Sequence, residues 1–206
     1  MIHDPDTLAF LQDRARKQIR SRMRALRRAH PEAALGERSA RIVERVADTE
    51  AYRAARSLAL FWPLSGEVDL RGLDARARAE NKAVYYPVMD PNGSGFTTGF
   101  AITASTEELA TRRSRFLEPL PEAPRAVRGE IDLVLVPALA VGADGNRLGY
   151  GGGFYDVTLP DFVPPAVSLI VAYDFQLLAE IPALPHDVAC QLVVTDARTL
   201  VATPRT

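Results

Sequence analysis

The run Glu130-Ile-Asp-Leu-Val-Leu-Val-Pro-Ala-Leu-Ala-Val141 is apolar on consecutive residues, so both faces of the strand it predicts must be covered, as in the centre of a helix-covered sheet. Directly after it comes Asp144-Gly-Asn-Arg-Leu-Gly-Tyr-Gly-Gly-Gly-Phe-Tyr-Asp156, a glycine-rich loop leading into a helix that opens near Gly153. A buried strand, a glycine loop and a helix in that order belong to an α/β sheet.

Working outward, the same alternation continues on both sides. Ser57 to Pro63 and Lys82 to Met89 read as strands, separated by a helix from Asp69 to Asn81 with Leu70, Leu73 and Ala77 inward. Asp90 to Gly95 is a turn cluster, Phe96 to Thr103 a returning strand and Thr106 to Thr111 a short helix; residues 114–130, rich in Pro and Glu, run over the surface. Beyond the glycine loop, Val167 to Tyr173 and Gln191 to Thr195 read as strands around a helical turn at Phe175 to Ala179. Tyr85 and Tyr86 alternate on their strand, which places one of them in the core. Two helices precede all of this, at 7–29 and 32–54; in the first, Leu8, Leu11, Ala15, Ile19, Met23 and Leu26 recur at helical spacing. The prediction is an α/β fold: a single domain spanning 1–206, built as a three-layer sandwich with a largely parallel, mixed central sheet and helices on both faces.

Length and composition agree. At 206 residues, 47% hydrophobic and 25% charged, the chain suits one globular domain with a core of its own, and its lone cysteine, Cys190, forms no internal bridge. No run approaches a membrane span and the N-terminus lacks a signal-peptide core, so the expectation is a soluble, cytoplasmic protein that does not engage a membrane. The net charge of −1 conceals an asymmetry: residues 1–56 hold 13 Lys+Arg against 8 Asp+Glu. Within 13–30, eight bases stand beside a single acid, and Arg16, Arg20, Arg24 and Arg27 fall together at the rim of the apolar stripe. Such a cluster implies an anionic partner, nucleic acid or a phosphate-bearing small molecule, unless it is simply a solvated helix face.

The glycine loop is where chemistry is expected. Ligands of open α/β sheets bind outside the carboxyl ends of the strands, and a glycine loop there lets backbone N–H groups approach an oxyanion. No Lys-Ser/Thr follows the glycines, which excludes a Walker A loop, and the spacing Gly149, Gly151, Gly153 is not a dinucleotide fingerprint. The glycines alone would also suit a tight strand-to-helix turn.

These residues carry a resemblance. Pro137-Ala-Leu-Ala, followed by Asp144-Gly-Asn-Arg147-Leu-Gly149-Tyr-Gly-Gly-Gly-Phe-Tyr155-Asp156, resembles the signature of the 5-formyltetrahydrofolate cyclo-ligase family, also called 5,10-methenyltetrahydrofolate synthetases. Supporting similarity comes from Arg16-Lys17-Gln18-Ile19-Arg20, from Phe61-Trp62-Pro63-Leu64-Ser65-Gly66-Glu67-Val68-Asp69, from Glu118-Pro119 and from Pro185-His186-Asp187. A monomer is expected, and the resemblance implies an enzyme acting on small molecules: ATP, with Mg²⁺, phosphorylates the formyl oxygen of 5-formyltetrahydrofolate, and ring closure by N10 gives 5,10-methenyltetrahydrofolate, ADP and phosphate. Such chemistry asks for positioning and charge neutralisation rather than a nucleophilic side chain.

By resemblance, Arg16, Lys17 and Arg20 meet ATP together with Arg147 and the run Gly149, Tyr150, Gly151, Gly152, Gly153, Phe154 and Tyr155, of which Arg147 and Tyr155 are the catalytic candidates. Asp156 and Asp187 match positions implicated in holding Mg²⁺. Trp62, Leu64, Glu67 and Asp69 match the folate side, with either Glu67 or Asp69 the family's acid. Many family members carry Gly-Arg-Gly-Lys-Gly where this chain has Gly149-Tyr-Gly-Gly-Gly153, so two loop cations are missing; the Arg that often follows the proline of Tyr86-Pro87 is missing too. Two other readings remain: a sugar-phosphate isomerase or CoA-transferase-like enzyme, supported by the glycine loop alone, and an RNA-binding module using the basic helix. No strand here interleaves bases with aromatics, as RNA readers do, so no nucleic-acid partner is expected.

Overall fold

The structure, a computed structural model, describes residues 5–93, 95–112 and 116–203, apart from the side chains of residues 5 and 6. Ser94 of the expected turn, the first residues of the expected surface run and His3 lie outside them.

The chain opens with helix α1 (Pro5–Ala29), then α2 (Glu32–Ala47) and the short α3 (Glu50–Ala54). The helix expected over 32–54 is therefore two. Thr49 breaks it, because its hydroxyl accepts the Tyr52 N–H at 3.1 Å and so caps a new helix instead of continuing the old one. Strand β1 (Ser57–Ala59) is followed by α4 (Arg71–Ala79) and by the hairpin β2 (Ala83–Asn92) and β3 (Gly95–Thr103). β1 is shorter than expected: after Leu60, whose N–H still reaches Tyr85 O at 2.9 Å, the chain leaves the sheet. Thr106–Glu108 is a 3₁₀ turn rather than a helix. It feeds β4 (Leu109–Thr111), which pairs with β5 (Leu117–Pro119) inside the stretch expected to be loop.

The long run that opened the sequence reading is also two strands. β6 (Leu133–Pro137) is central in the main sheet, whereas β7 (Ala140–Gly142) belongs to a small sheet with β8 (Arg147–Leu148). The turn between them is held by side chains: Ala138 O accepts from Arg27 Nη2 and, at 3.0 Å, from Gln176 Nε2, which also reaches Leu139 O at 2.7 Å. Those carbonyls have left the ladder and are satisfied elsewhere. Helix α5 (Phe154–Phe162), β9 (Val167–Val171), a 3₁₀ turn at Asp174–Gln176, β10 (Leu177–Leu178), β11 (Leu192–Val194) and β12 (Thr199–Val201) complete the order. The expected helical turn at 175–179 is thus that 3₁₀ turn and a two-residue strand, and β12 was unanticipated.

The main sheet runs β12-β11-β9-β6-β1-β2-β3, with the five inner strands parallel and both edges antiparallel. Alternation splits its side chains between two layers. Leu58, Leu133, Leu135 and Leu169 meet Ile42, Val46 and Leu73 of α2 and α4, while Ala59, Val134, Val136 and Ile170 meet Leu159 and Phe162 of α5. Tyr86 goes to the first layer and Tyr85 to the second, so both tyrosines are buried. A third cluster, Met23 with Leu139, Ala140, Leu148 and Ile181, fixes α1 to the small sheet. The fold is α/β with a mixed, mostly parallel sheet between helices, as expected. Among the described residues no helix is long and apolar enough to cross a membrane.

Candidate functional site

Chain order across the sheet reverses between β1 and β6: β2 follows on one side of β1, and β6, β9 and β11 on the other. Ligands of open α/β sheets bind at the carboxyl ends of strands flanking such a switch point. The segments leaving those ends here are 60–69, after β1, and 138–153, after β6, and they carry the motifs singled out in the sequence. The glycine loop was expected to follow the central strand directly, but the β7–β8 hairpin intervenes. Gly145 at its tip has φ +81°, and a Cβ there would stand 2.1 Å from Cys190 O, so only glycine fits.

A cleft of ≈ 800 Å³ opens between these segments and α1. Trp62, Leu64, Glu67 and Asp69 line it from one side, Arg24, Arg27 and Arg28 from α1, and Tyr150 from the glycine loop. Trp62 is half-buried: it packs on the core and also lines the cleft. The two acids differ. Glu67 is 7% exposed; its carboxylate accepts Leu64 N–H at 2.9 Å and stands 4.0 Å from Arg27 Nη1, which donates to the Tyr150 hydroxyl at 2.8 Å. Burial pushes its carboxyl above the usual range against those neighbours. Asp69 is clasped by the Arg71 guanidinium, whose hydrogen bonds hold it below the usual range. A second cleft, ≈ 810 Å³ between α2 and α4, is lined by Arg41, Glu44, Arg45, Asp48 and Arg76 and contains no glycine-loop residue.

The basic face of α1 is not simply solvated. Arg16 and Arg27, expected at the rim, are 6% and 5% exposed. Arg16 grips Asp187, with Nη2 at 3.0 Å from Oδ1, and Pro182 O at 2.8 Å. Arg20 Nε donates to Gly149 O at 3.0 Å, and burial together with Arg16 and Arg24 lowers its pKa. Lys17 stands apart, exposed and paired with Asp13 at 2.7 Å.

Across the loop, Arg147 is buried beneath the start of α5. Its Nη2 donates to Asp156 Oδ1 at 2.8 Å, its Nη1 to Val188 O, and its guanidinium lies 5.8 Å from the centroid of the Tyr155 ring. Asp156 Oδ1 also takes Val188 N–H at 3.2 Å. The loop 182–190 thus joins Arg16–Asp187 to Arg147–Asp156. The Tyr155 hydroxyl is buried with no hydrogen-bond partner among the described residues, and burial raises its pKa. Phe154 packs edge-on against Phe100 and Tyr155, seating the helix on the sheet. Gly151, Gly152 and Gly153 are exposed with nothing within 4 Å of where a Cβ would sit. Backbone is therefore open to a ligand along the loop, while its one hydroxyl, that of Tyr150, is turned inward.

A family model described as the 5-formyltetrahydrofolate cyclo-ligase family matches residues 12–196. The chain belongs to that family. Its relatives in the family include the 5-formyltetrahydrofolate cyclo-ligase of Haemophilus influenzae, 27% identical over 84% of this chain and 89% of that one, and that of Escherichia coli K12, 30% identical over 70% and 80%. The Mycolicibacterium smegmatis enzyme of the same name is 51% identical over 41% of this chain and 43% of its own. The fold of this cyclo-ligase chain is shared with the 5,10-methenyltetrahydrofolate synthetase of Aquifex aeolicus, at TM-score 0.78 and 23% identity over 93% and 95% of the two chains.

The site residues missed by sequence reading are Arg27 and Gln176. Arg27 was visible as one base among eight, but nothing local marks it as the buried one. Gln176 carries no signal at all, since its role depends on carbonyls 37 and 38 positions away.

Proposed function

We propose that this chain, a cytoplasmic monomer, catalyses the ATP-dependent cyclisation of 5-formyltetrahydrofolate to 5,10-methenyltetrahydrofolate, with release of ADP and phosphate. The observation that carries the reading is the place of the glycine loop. One side of it is bonded to Arg20, and the other reaches, through Tyr150, into the cleft lined by Trp62 and Glu67. Two ligands held on either side of so thin a partition can meet.

In this reading the open backbone of Gly149 to Gly153 takes the phosphates, with Arg20 supplying charge and Phe154 and Tyr155 fixing the loop's exit, while Lys17, paired with Asp13, stays outside. Arg16 acts through Asp187, holding loop 182–190 in place. The cleft takes the folate, its ring system against Trp62 and Leu64 and its N–H groups on Glu67, with Asp69 nearer the mouth. The formyl oxygen accepts the γ-phosphoryl group as its bond to ADP breaks; the N10 lone pair attacks the formyl carbon, the N10 proton is lost, and phosphate departs with the formyl oxygen. The protein's work is alignment and neutralisation. Arg147 orients Asp156, and the unpartnered Tyr155 hydroxyl is a donor awaiting an acceptor.

The donors suit a Mg²⁺ ion carried by the nucleotide, not one held by protein alone. Among the described residues no cluster of three metal-ligating side chains exists. Both Asp187 oxygens are taken by Arg16, whereas Asp156 binds its neighbours through Oδ1. Asp156 would thus supply the carboxylate and the nucleotide the remaining oxygens, the ion neutralising phosphate charge. The rival RNA-binding reading loses its footing where Arg16 and Arg27 are buried. The test is the rise of methenyltetrahydrofolate absorbance with purified protein, with ATP and Mg²⁺ together and with each omitted; no product with both present refutes the proposal.

A further inference from the structure

The stretch Gly151-Gly152-Gly153 has no side chain with which to hold its own position, and two of its residues take φ near +105° and +68°. Its placement therefore depends on tethers just before it. There are two. The Gly149 carbonyl is bound by Arg20, and the Tyr150 hydroxyl accepts from Arg27 Nη1 at 2.8 Å, the same nitrogen that stands 4.0 Å from the Glu67 carboxylate. Tyr150 is where many family members carry a loop cation. Here the cation nearest that place is Arg27 of α1, brought in by the tyrosine.

We propose that Tyr150 is a positioning residue that ties the glycine loop, through Arg27, to Glu67, so that the loop's placement for one ligand and the acid's placement for the other are a single conformational state. The inference rests on the cyclo-ligase reading only for what the two ligands are. Its consequence is reciprocal: a nucleotide that orders the loop orders Glu67, and a folate that engages Glu67 orders the loop. Glu67 is faced by Arg27 from α1, Tyr150 from the loop, Tyr155 from α5 and Tyr173 after β9, whose hydroxyl donates to the Glu67 carbonyl at 2.9 Å. His30, Arg24, Arg28, Asp69 and Arg71 stand around the same cleft. Of these groups only Tyr150 belongs to the loop. Its hydroxyl is itself pushed up to about 12 by burial and the Glu67 charge, so it stays protonated across the physiological range.

Tyr150→Phe removes the tie and keeps the ring, and the 45% exposure of Tyr150 makes the change mild for folding. Two measurements decide. Titration of the Glu67 carboxyl by ¹³C NMR, without any ligand, should move up by about one pH unit in Tyr150→Phe, because the hydroxyl that holds the Arg27 guanidinium beside the carboxylate is lost. Coincident or lowered midpoints overturn the proposal whatever the enzyme's activity. Second, Trp62, the sole tryptophan, reports folate binding in the cleft by its emission. A non-hydrolysable ATP analogue should tighten 5-formyltetrahydrofolate binding by about fivefold or more in the wild type and have little effect in Tyr150→Phe. Equal tightening in both proteins contradicts the tie. Should the NMR midpoint move while neither protein binds folate, the tie stands and the cyclo-ligase reading falls.

Discussion

Arg16 and Asp187, 171 positions apart, form a buried bidentate ion pair that fastens α1 to the loop 182–190. Burial alone would raise the Asp187 carboxyl, but the Arg16 hydrogen bonds, the Leu184 N–H and the Arg16 charge together hold it below the usual range. A depressed carboxylate contributes stability that is fully present above its unfolded value, near 3.9, and is lost as pH falls through the folded one. Asp187→Asn should therefore cost about 2 kcal/mol at pH 7, or roughly 4–8 °C in Tm, leaving Arg16 buried without its counter-charge. The gap between variant and wild type should close as pH falls through the depressed value of the folded Asp187 carboxyl. Thermal unfolding at several pH values checks this; a gap that does not change with pH contradicts it.

Glu67 and Asp69 were indistinguishable in sequence, and their surroundings separate them. Glu67→Gln should raise KM for 5-formyltetrahydrofolate by about 10- to 100-fold, since a charge-assisted contact in a buried cleft is lost. Asp69→Asn breaks only an exposed pairing with Arg71 and should change KM by less than about threefold. Steady-state kinetics on the two variants decide, and the reverse order would move the folate acid to Asp69.

Asp156→Asn keeps the Oδ1 acceptor for Arg147 and Val188 and removes the charge. If Asp156 meets the nucleotide's Mg²⁺, kcat/KM at limiting Mg²⁺ should fall by about 10- to 100-fold and recover in part as Mg²⁺ is raised. A loss that is the same at every Mg²⁺ concentration would leave Asp156 only its structural pairing. Arg53, exposed and paired with Asp48, is the proper control position. Arg78 of α4 does not suit as a control, being bonded to Asp74 and to both the carbonyl and hydroxyl of Thr103.

Two glycines near the site answer to different demands. Gly145→Ala puts a Cβ 2.1 Å from Cys190 O and 2.8 Å from Ala202 Cβ at a left-handed position, and should cost about 3 kcal/mol or more. At Gly152 the same change meets nothing within 4 Å. Gly152→Ala should keep the wild-type Tm yet raise KM for ATP by about tenfold, because its methyl group occupies the approach of the phosphates to the backbone. Paired Tm and KM measurements check both; an unaffected KM in Gly152→Ala argues that the loop serves only as a turn.

The parallel core and its layers were legible because their signals are long: Leu133 to Val136 is apolar without interruption, and α1 repeats its stripe over about five turns. What stayed hidden is short or remote. β7, β8, β10 and β12 are two or three residues each, too short for alternation to register, and they exist because partners elsewhere in the chain accept their hydrogen bonds. The site divided in the same way. Its motifs at 62–69 and 144–156 are contiguous and readable, whereas the burial of Arg16 and Arg27 on a helix full of arginines depends on Asp187 and Ala138, which no periodicity connects to them. The pairing of Arg147 with Asp156 converts two separately expected ligand groups into one unit, and only three dimensions show it.

The central claim is that two ligands meet across the glycine loop and that the γ-phosphoryl group passes to the formyl oxygen. The most direct measurement follows that oxygen. With 5-formyltetrahydrofolate labelled with ¹⁸O in the formyl group, ATP, Mg²⁺ and purified protein, the phosphate released should carry one ¹⁸O per methenyltetrahydrofolate formed, matched by one ADP. Methenyltetrahydrofolate accompanied by unlabelled phosphate would contradict the account.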